Sequence, residues 1–175
     1  CDAGNESGSG EALSRAQHYI EKSEFQSALI EIKNTLQKNP DNARARLLMG
    51  QIYVTLAEGA SAEKELRKAN TLGLSQQETQ LLIAQALLLQ GKNQAVLDLS
   101  PVLVGLPPHS KSAIHAVRGS ALLGLRNTEA ADKKFTKALA IDKENEAAVV
   151  GMAKLAAMKG DYDQARRELE HAFTI

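Results

Sequence analysis

The feature that most constrains this sequence is a repeat of about 34 residues. Small residues recur at Ala28, Ala62, Ala95, Ala131 and Ala165. A second small series lies 11 or 12 residues earlier, at Ala16, Gly50, Ala84, Gly119 and Ala153. Larger side chains follow the first series by four residues, at Ile32, Leu66, Leu99, Phe135 and Leu169. Three series with one period predict tandem copies of one structural unit, which stack to bury a continuous core.

The composition predicts that the repeating unit is helical. Ala, Leu, Lys, Glu and Gln, which favour helices, dominate the sequence, and only 3% of residues are aromatic. Ala or Gly lets two helices approach closely, and the larger residue one turn later fills the adjoining groove. Each unit is therefore predicted to be a helical hairpin, and the fold class to be all-α.

Glycine and aspartate predict the tight turns inside the hairpins. Gly91 and Gly160 can take a positive φ between two helices, and Asp161 can cap the helix that follows. Tyr162 is expected to pack where that helix starts.

Proline predicts one irregular hairpin. Pro101 falls inside the second helix of the third unit, where it removes a backbone donor and clashes with the preceding turn. The helix is therefore expected to break near Ser100, with an irregular connection over residues 100–111.

A 34-residue helix-turn-helix unit with these small and large positions resembles the tetratricopeptide repeat (TPR) family. The resemblance covers residues 11–175 and implies a right-handed TPR superhelix (an α-solenoid) of about five repeats. The expected repeats are about 9–42, 43–76, 77–111, 112–145 and 146–175. Residues 1–10, which are rich in Gly and Ser, are predicted to be a flexible linker.

The fifth repeat lacks a polar capping helix of the kind that closes a solenoid. The chain is therefore expected to be an N-terminal fragment of a longer array.

The sequence contains no pattern typical of a catalytic, metal or cofactor site. No two histidines stand at the i, i+4 spacing of a helical metal site, and neither a nucleophile elbow nor a phosphate-binding loop occurs. Basic and acidic side chains number 21 each, which disfavours nucleic acid as a partner. We predict no enzyme activity, no cofactor, no metal and no small-molecule substrate. No apolar run is long enough to span a bilayer.

The TPR resemblance implies where a protein or peptide partner binds, because the first helix of each repeat lines the inner surface in that family. Here the inner positions are apolar with a stripe of Gln, which suits an amphipathic helix. For Leu81 and Leu88, core packing between first helices is an equal alternative. The predicted partner-binding residues are Leu13, Gln17, Ile20, Glu21, Arg44, Leu47, Gln51, Val54, Thr55, Leu81, Gln85, Leu88, Leu89, Ser120, Leu123, Lys154 and Met158.

Cys1, the one cysteine of the chain, is the first residue of the predicted linker. In bacterial lipoproteins a signal peptide is removed immediately before a cysteine that then carries acyl chains, and this sequence resembles such a mature N-terminus. Cys1 is therefore predicted to be a lipid attachment site. The alternative is a chain that happens to begin at Cys.

The stretches ALIEIKNTLQKNPDNARARLLMG (28–50), AEKELRKA (62–69) and LLLQGK (87–92), with Cys1 in front, resemble the TPR-repeat lipoprotein of bacterial exosortase (PEP-CTERM) and exopolysaccharide systems. The resemblance implies a non-catalytic protein–protein interaction scaffold in the bacterial cell envelope, lipid-anchored and facing the periplasm. It would assist exopolysaccharide production or export, or exosortase-linked protein sorting. Asp2 resembles an inner-membrane retention signal of some bacteria, but that rule differs among bacteria. Both the inner and the outer membrane therefore stay open as the location of the anchor.

Two other functions stay open. One is a TPR lipoprotein that assists outer-membrane β-barrel or type IV pilus assembly. The other is a binding or regulatory module of a larger enzyme.

Overall fold

The computed structural model describes the backbone of residues 3–174 and the side chains of residues 10–170 and 172–174. Within these residues the secondary structure consists of ten α-helices and no strand. The chain divides into two compact units, one ending at Ala86 and the other beginning at Leu87. The helices are α1 (Ala3–Glu21), α2 (Phe25–Lys38), α3 (Ala43–Thr55), α4 (Gly59–Thr71), α5 (Gln76–Leu89), α6 (Asn93–Asp98), α7 (Pro108–Gly124), α8 (Thr128–Ile141), α9 (Glu146–Met158) and α10 (Tyr162–Ala172).

In the first unit, α1 packs on α2, α2 on α3, and α3 on α4. Ala16, Ala28 and Ile32 are fully buried in one apolar cluster between these helices. A Cβ atom added at Gly50 would lie 2.5 Å from Cγ of Leu66, so the α3–α4 crossing requires the small residue. The predicted pairing of a small residue with a large one is confirmed here.

In the second unit, α7 packs on α8, and α9 packs on both of them and on α10. The ring of the fully buried Phe135 lies against two glycines from different repeats. A Cβ atom added at Gly119 would lie 2.6 Å from Phe135 Cε1, and one added at Gly151 would overlap the same ring. One aromatic side chain therefore joins the fourth and fifth repeats.

Each of the five hairpin turns contains one residue with a positive φ at the equivalent position. As predicted, Gly91 and Gly160 take this conformation, with φ of 69° and 82°. In the other three turns Ser23, Ala57 and Arg126 adopt φ of 59°. The backbone geometry of the turn is thus common to all repeats, although only two of them supply the residue that adopts it without steric cost.

Short polar side chains begin several helices. The side-chain oxygens of Asn42, Asn127 and Asn145 accept hydrogen bonds from backbone N–H groups at 2.9, 3.1 and 2.9 Å, three residues further along. Asp161 accepts from the N–H of Gln164 at 2.9 Å, which confirms the predicted cap. These bonds satisfy N–H groups that the first helical turn leaves unpaired.

The third hairpin is irregular, as Pro101 predicts. Its second helix, α6, has six residues and ends at Asp98, two residues before the expected position. Arg118 on α7 donates hydrogen bonds to the carbonyl oxygens of Val96, Leu97 and Leu99, at 3.3, 3.1 and 2.9 Å. The guanidinium therefore satisfies acceptors that a longer helix would have paired internally.

Three details differ from the sequence-based expectations. The backbone is helical from Ala3, so no change in secondary structure marks the expected boundary at residue 10. Tyr162 does not pack at the start of α10, since 73% of it is exposed. Leu169, the last member of the large series, is 42% exposed, because α10 packs on α9 alone among the described helices.

Candidate protein-binding surface

The predicted inner positions differ widely in exposure. Leu47 is buried, with 7% of its surface exposed, so its side chain serves the core of the first unit. The exposed positions are Glu21, Arg44, Thr55, Leu89, Lys154 and Met158. The half-buried positions are Leu13, Gln17, Ile20, Gln51, Val54, Leu81, Gln85, Leu88, Ser120 and Leu123.

Three Gln side chains occupy the same position in the first helices of consecutive repeats in the first unit. Gln17 lies on α1, Gln51 on α3 and Gln85 on α5, and all three are half-buried. None of their carboxamides has a hydrogen-bond partner among the described residues. Each carboxamide can both donate and accept, so this row offers paired hydrogen-bonding groups to a ligand.

The apolar neighbours of this row are largely engaged with the core. Leu13 and Ile20, which flank Gln17 by one helical turn on either side, pack against the cluster that contains Ile52. Leu47, which precedes Gln51 by one turn, is buried. The available chemistry of this part of the inner face is therefore more amide than apolar.

The first helices of neighbouring repeats touch one another within the first unit. Helix α1 contacts α3. The Arg44 guanidinium on α3 lies 3.9 Å from the Glu78 carboxylate on α5. Hydrogen bonds from the hydroxyl and backbone N–H of Ser75 lower the pKa of Glu78, with a smaller contribution from Arg44. The α1, α3 and α5 positions therefore belong to one continuous row of adjacent helices.

In the second unit the predicted positions form a less uniform set. Ser120 and Leu123 on α7 are half-buried, and Leu123 packs against the cluster around Phe135. On α9, Lys154 is exposed and Met158 is 51% exposed. Leu89, at the end of α5, is 46% exposed.

Sequence reasoning missed a buried histidine and its basic surroundings. His115 on α7 is 5% exposed, and its Nδ1 atom has no hydrogen-bond partner among the described residues. Burial lowers the pKa of His115, and the positive charges of Lys137, Lys134 and Arg118 lower it further. The signal in the sequence is a local excess of Lys and Arg in this one hairpin, which the balanced total charge conceals.

None of the described helices combines the length and the apolar character of a membrane span. Among the described side chains, no group of three or more His, Cys, Asp or Glu residues is placed to hold a metal ion. Cys1, the predicted lipid attachment site, lies outside the described residues.

Residues 122–173 match the model of the tetratricopeptide repeat family. No curated protein matches the sequence. The pilF protein of Pseudomonas aeruginosa has a similar structure, with a TM-score of 0.73 and 19% identity over 98% of this chain and 78% of that chain. MamA from Desulfovibrio magneticus RS-1 has a TM-score of 0.73 and 16% identity over 95% of this chain and 94% of that chain.

YrrB, described as a TPR protein with an unusual peptide-binding site, has a TM-score of 0.63 and 17% identity over 93% of this chain and 84% of that chain. These structural similarities extend along nearly the whole chain, beyond the segment that matches the family model. They confirm the predicted all-α fold class. The chain therefore has the tetratricopeptide-repeat fold, which is suited to protein–protein interaction.

Proposed function

We propose that this chain is a non-catalytic scaffold that holds an extended segment of a partner protein on the inner face of its first unit. The observation that carries the proposal is the row formed by Gln17, Gln51 and Gln85, whose carboxamides have no partner among the described residues. We call these three side chains the amide row. A half-buried amide gains most when a ligand supplies both a donor and an acceptor, as a peptide backbone does.

The spacing of the amide row fits an extended chain. Packed helices generally lie about 8–10 Å apart, so we expect about this step from one Gln to the next. Three residues of extended chain cover about 10 Å, at roughly 3.3 Å per residue. Successive Gln side chains can therefore bond the backbone of ligand residues that are three apart. Because these bonds reach backbone atoms, recognition would tolerate many ligand sequences.

The same observations favour an extended ligand over the amphipathic helix that the apolar pattern suits. An α-helix pairs its own backbone groups and could not use the carboxamides. It would depend on apolar contacts, yet Leu47 is buried and Leu13 and Ile20 pack into the core. YrrB, whose fold is similar, is described as having a peptide-binding site, which agrees with a peptide as the ligand class.

The test begins with selection of peptides from a displayed library of random sequences on the purified chain. A selected peptide should bind Gln17→Ala/Gln51→Ala about tenfold more weakly than the unchanged chain, because each lost hydrogen bond contributes about 0.5–1.5 kcal/mol. The matched control is Gln26→Ala/Gln37→Ala, which removes two exposed carboxamides from α2. It should leave the affinity within about twofold.

Backbone recognition has its own readout. N-methylation of a single peptide bond should weaken binding when the modified bond belongs to every third ligand residue. The same change at the bonds between these residues should have little effect. A peptide that becomes helical on binding, measured by circular dichroism, would instead establish the amphipathic-helix mode. Equal weakening by the two double variants would contradict any role of the amide row.

We also propose, from sequence alone, that the scaffold acts in the bacterial cell envelope as a lipoprotein anchored through Cys1 and facing the periplasm. The support is Cys1 followed by a polar segment rich in Gly and Ser, together with the resemblance to the TPR lipoprotein of exosortase and exopolysaccharide systems. Its role there would be to assist exopolysaccharide production or export, or the sorting of surface proteins. Assistance to β-barrel or type IV pilus assembly is the alternative within the same compartment.

The anchor is tested by expressing the full-length precursor in bacteria that are fed a clickable palmitate analogue. The protein should incorporate the label and sediment with membranes, and Cys1→Ala should do neither. Label-free protein in the soluble fraction would contradict the envelope proposal. That result would not affect the proposal that the amide row binds a peptide, because peptide binding is measured on the purified chain.

A further inference from the structure

Positive charge is concentrated in one hairpin, although the chain as a whole has equal numbers of basic and acidic side chains. Residues 108–141, which form α7, α8 and their turn, contain six basic and two acidic side chains. The basic ones are Lys111, Arg118, Arg126, Lys133, Lys134 and Lys137, and the acidic ones are Glu129 and Asp132. The hairpin therefore has an excess of four positive charges, whereas the whole chain has none.

Both acidic side chains of the hairpin are already engaged. Glu129 pairs with Lys133 at 2.7 Å, and Asp132 pairs with Lys159, the residue that follows α9, at 3.1 Å. Arg118, Lys134 and Lys137 form no ion pair with any described carboxylate. These three cations therefore lack a compensating charge within the described part of the chain.

The packing of α7 on α8 brings the three cations together. The Ser112 hydroxyl on α7 donates to the Ala138 carbonyl of α8 at 2.9 Å, and Gly119 lies against the ring of Phe135. His115, on the same face of α7 between these two contacts, is therefore held against α8. Lys134 and Lys137 lie beside the α8 residues that make the contacts, and Arg118 is one turn beyond His115.

The pKa shifts of Lys134 and His115 agree with this packing. Burial lowers the pKa of Lys134, and Arg118 and Lys137 lower it further. The charged groups that act on His115 are all positive: Lys137, Lys134 and Arg118. Arg118 is held by the carbonyl oxygens at the end of α6, while Lys134 is half-buried and Lys137 is exposed. A negatively charged group can therefore approach from the side of the two lysines.

We propose that Arg118, Lys134 and Lys137 form a second interaction surface, the basic face, which binds a carboxylate-rich segment of a partner protein. Carboxylates on successive turns or alternate residues of such a segment would supply the charge that the hairpin lacks, in a partly desolvated setting where each pair is worth more than in water. Nucleic acid is disfavoured because the neutral chain provides no extended field along a backbone of phosphates. The basic face lies in the second unit, so its role is independent of the amide row.

The probe is a fluorescein-labelled, N-terminally capped hexaglutamate, with hexaglutamine as the uncharged reference. At low ionic strength the full chain should raise the anisotropy of hexaglutamate and leave that of hexaglutamine unchanged. Lys134→Glu/Lys137→Glu should weaken binding by about tenfold or more, because attraction becomes repulsion. The charge-matched control, Lys33→Glu/Lys38→Glu on α2, alters exposed lysines of the first unit and should change the affinity by less than about twofold.

A second readout locates the bound peptide. The pKa of His115, followed by NMR of its imidazole, should rise when hexaglutamate saturates the chain, because the added carboxylates offset the three cations. Salt at about 0.3 M should reduce the binding strongly. Lys134→Gln/Lys137→Gln, which removes charge without reversing it, provides the comparison if the double Glu variant loses its helical circular dichroism.

Several results would overturn the proposal. They are the absence of hexaglutamate binding, equal weakening by the α2 control, or binding without any response of His115. Binding of phosphatidylglycerol vesicles or single-stranded DNA that depends on Lys134 and Lys137 and is not displaced by hexaglutamate would assign the basic face to a membrane or a nucleic acid instead.

Discussion

The guanidinium of Arg118 on α7 donates a hydrogen bond to the carbonyl oxygen of Leu99, 2.9 Å away, just beyond the end of α6. Two further bonds reach Val96 and Leu97. The side chain thus completes a helix that ends early because Pro101 cannot continue it. These hydrogen bonds join the end of α6 to α7 within the second unit.

We predict that Arg118→Ala lowers the free energy of unfolding by about 2 kcal/mol, because three backbone acceptors lose a charged donor. The free energy of unfolding of Arg118→Lys should lie between those of Arg118→Ala and the unchanged chain, because an ammonium group cannot span the three carbonyls as the planar guanidinium group does. Urea denaturation followed by circular dichroism measures both. Arg167→Ala, an exposed arginine on α10, should change stability by less than about 0.5 kcal/mol; an equal loss there would rule out a specific cap.

The ring of Phe135 leaves no room for a side chain at Gly119 or Gly151. Gly151→Ala should lower the free energy of unfolding by about 1–3 kcal/mol, because the new methyl group overlaps the ring. Adding Phe135→Leu to Gly151→Ala should recover part of the loss, so the double variant should be more stable than additivity predicts. Gly10→Ala is the matched control, since a Cβ atom there meets nothing within 4 Å. Strictly additive effects would show that the ring and Gly151 do not interact.

Substitution of alanine by glycine is expected to have opposite effects on stability in a hairpin turn and in a helix. Ala57 has φ of 59°, which is sterically unfavourable for alanine, so Ala57→Gly should stabilise the chain by about 0.5 kcal/mol after the entropy of the unfolded glycine is included. Ala60→Gly, three residues later on an exposed helical position, should destabilise it by about 0.5–1 kcal/mol. Thermal unfolding of the two variants decides the matter. Loss of stability in both would mean that the turn strain is negligible.

His115 predicts a decline in stability at mildly acidic pH. The ordinary pKa of histidine, which the unfolded chain has, is about 6.5, and the folded chain holds His115 below it through burial and the charges of Lys137, Lys134 and Arg118. The unfolded state therefore binds the proton first. The stability contribution is fully present above about pH 6.5, falls as the pH drops below that value, and levels off below the folded-state pKa.

This decline is measured as the difference in denaturant midpoint between about pH 7.5 and 5.5, a range that lies above the ordinary pKa of carboxylates. His115→Gln should reduce the difference, whatever its effect on stability at a single pH. His18→Gln, which replaces an exposed histidine on α1, should preserve it. An unchanged difference in His115→Gln would show that another group titrates.

Much of the fold follows from the sequence because helical repeats depend on short-range pattern. The 34-residue period locates the hairpins, and the small residues Ala16 and Ala28 are fully buried as the pattern requires. Pro101 locates the break in the third hairpin, since its ring excludes the helical hydrogen bond whatever the surroundings. These effects act within one or two helical turns, so the order of residues is sufficient to predict them.

The tertiary structure alone decided which side chains remain available to a partner. Leu47 and Leu89 both occupy predicted inner positions, yet the first is 7% and the second 46% exposed, because exposure depends on how neighbouring helices cover each residue. The burial of His115 beside Lys134, and the reach of Arg118 to α6, likewise join residues that are far apart in the chain. Their contacts arise from the packing of one helix on another, which periodicity predicts only in outline. The sequence determined the repeat, its break and the regular spacing of Gln17, Gln51 and Gln85. Packing determined which of these and other side chains stay exposed, because burial depends on neighbouring helices that are distant in sequence.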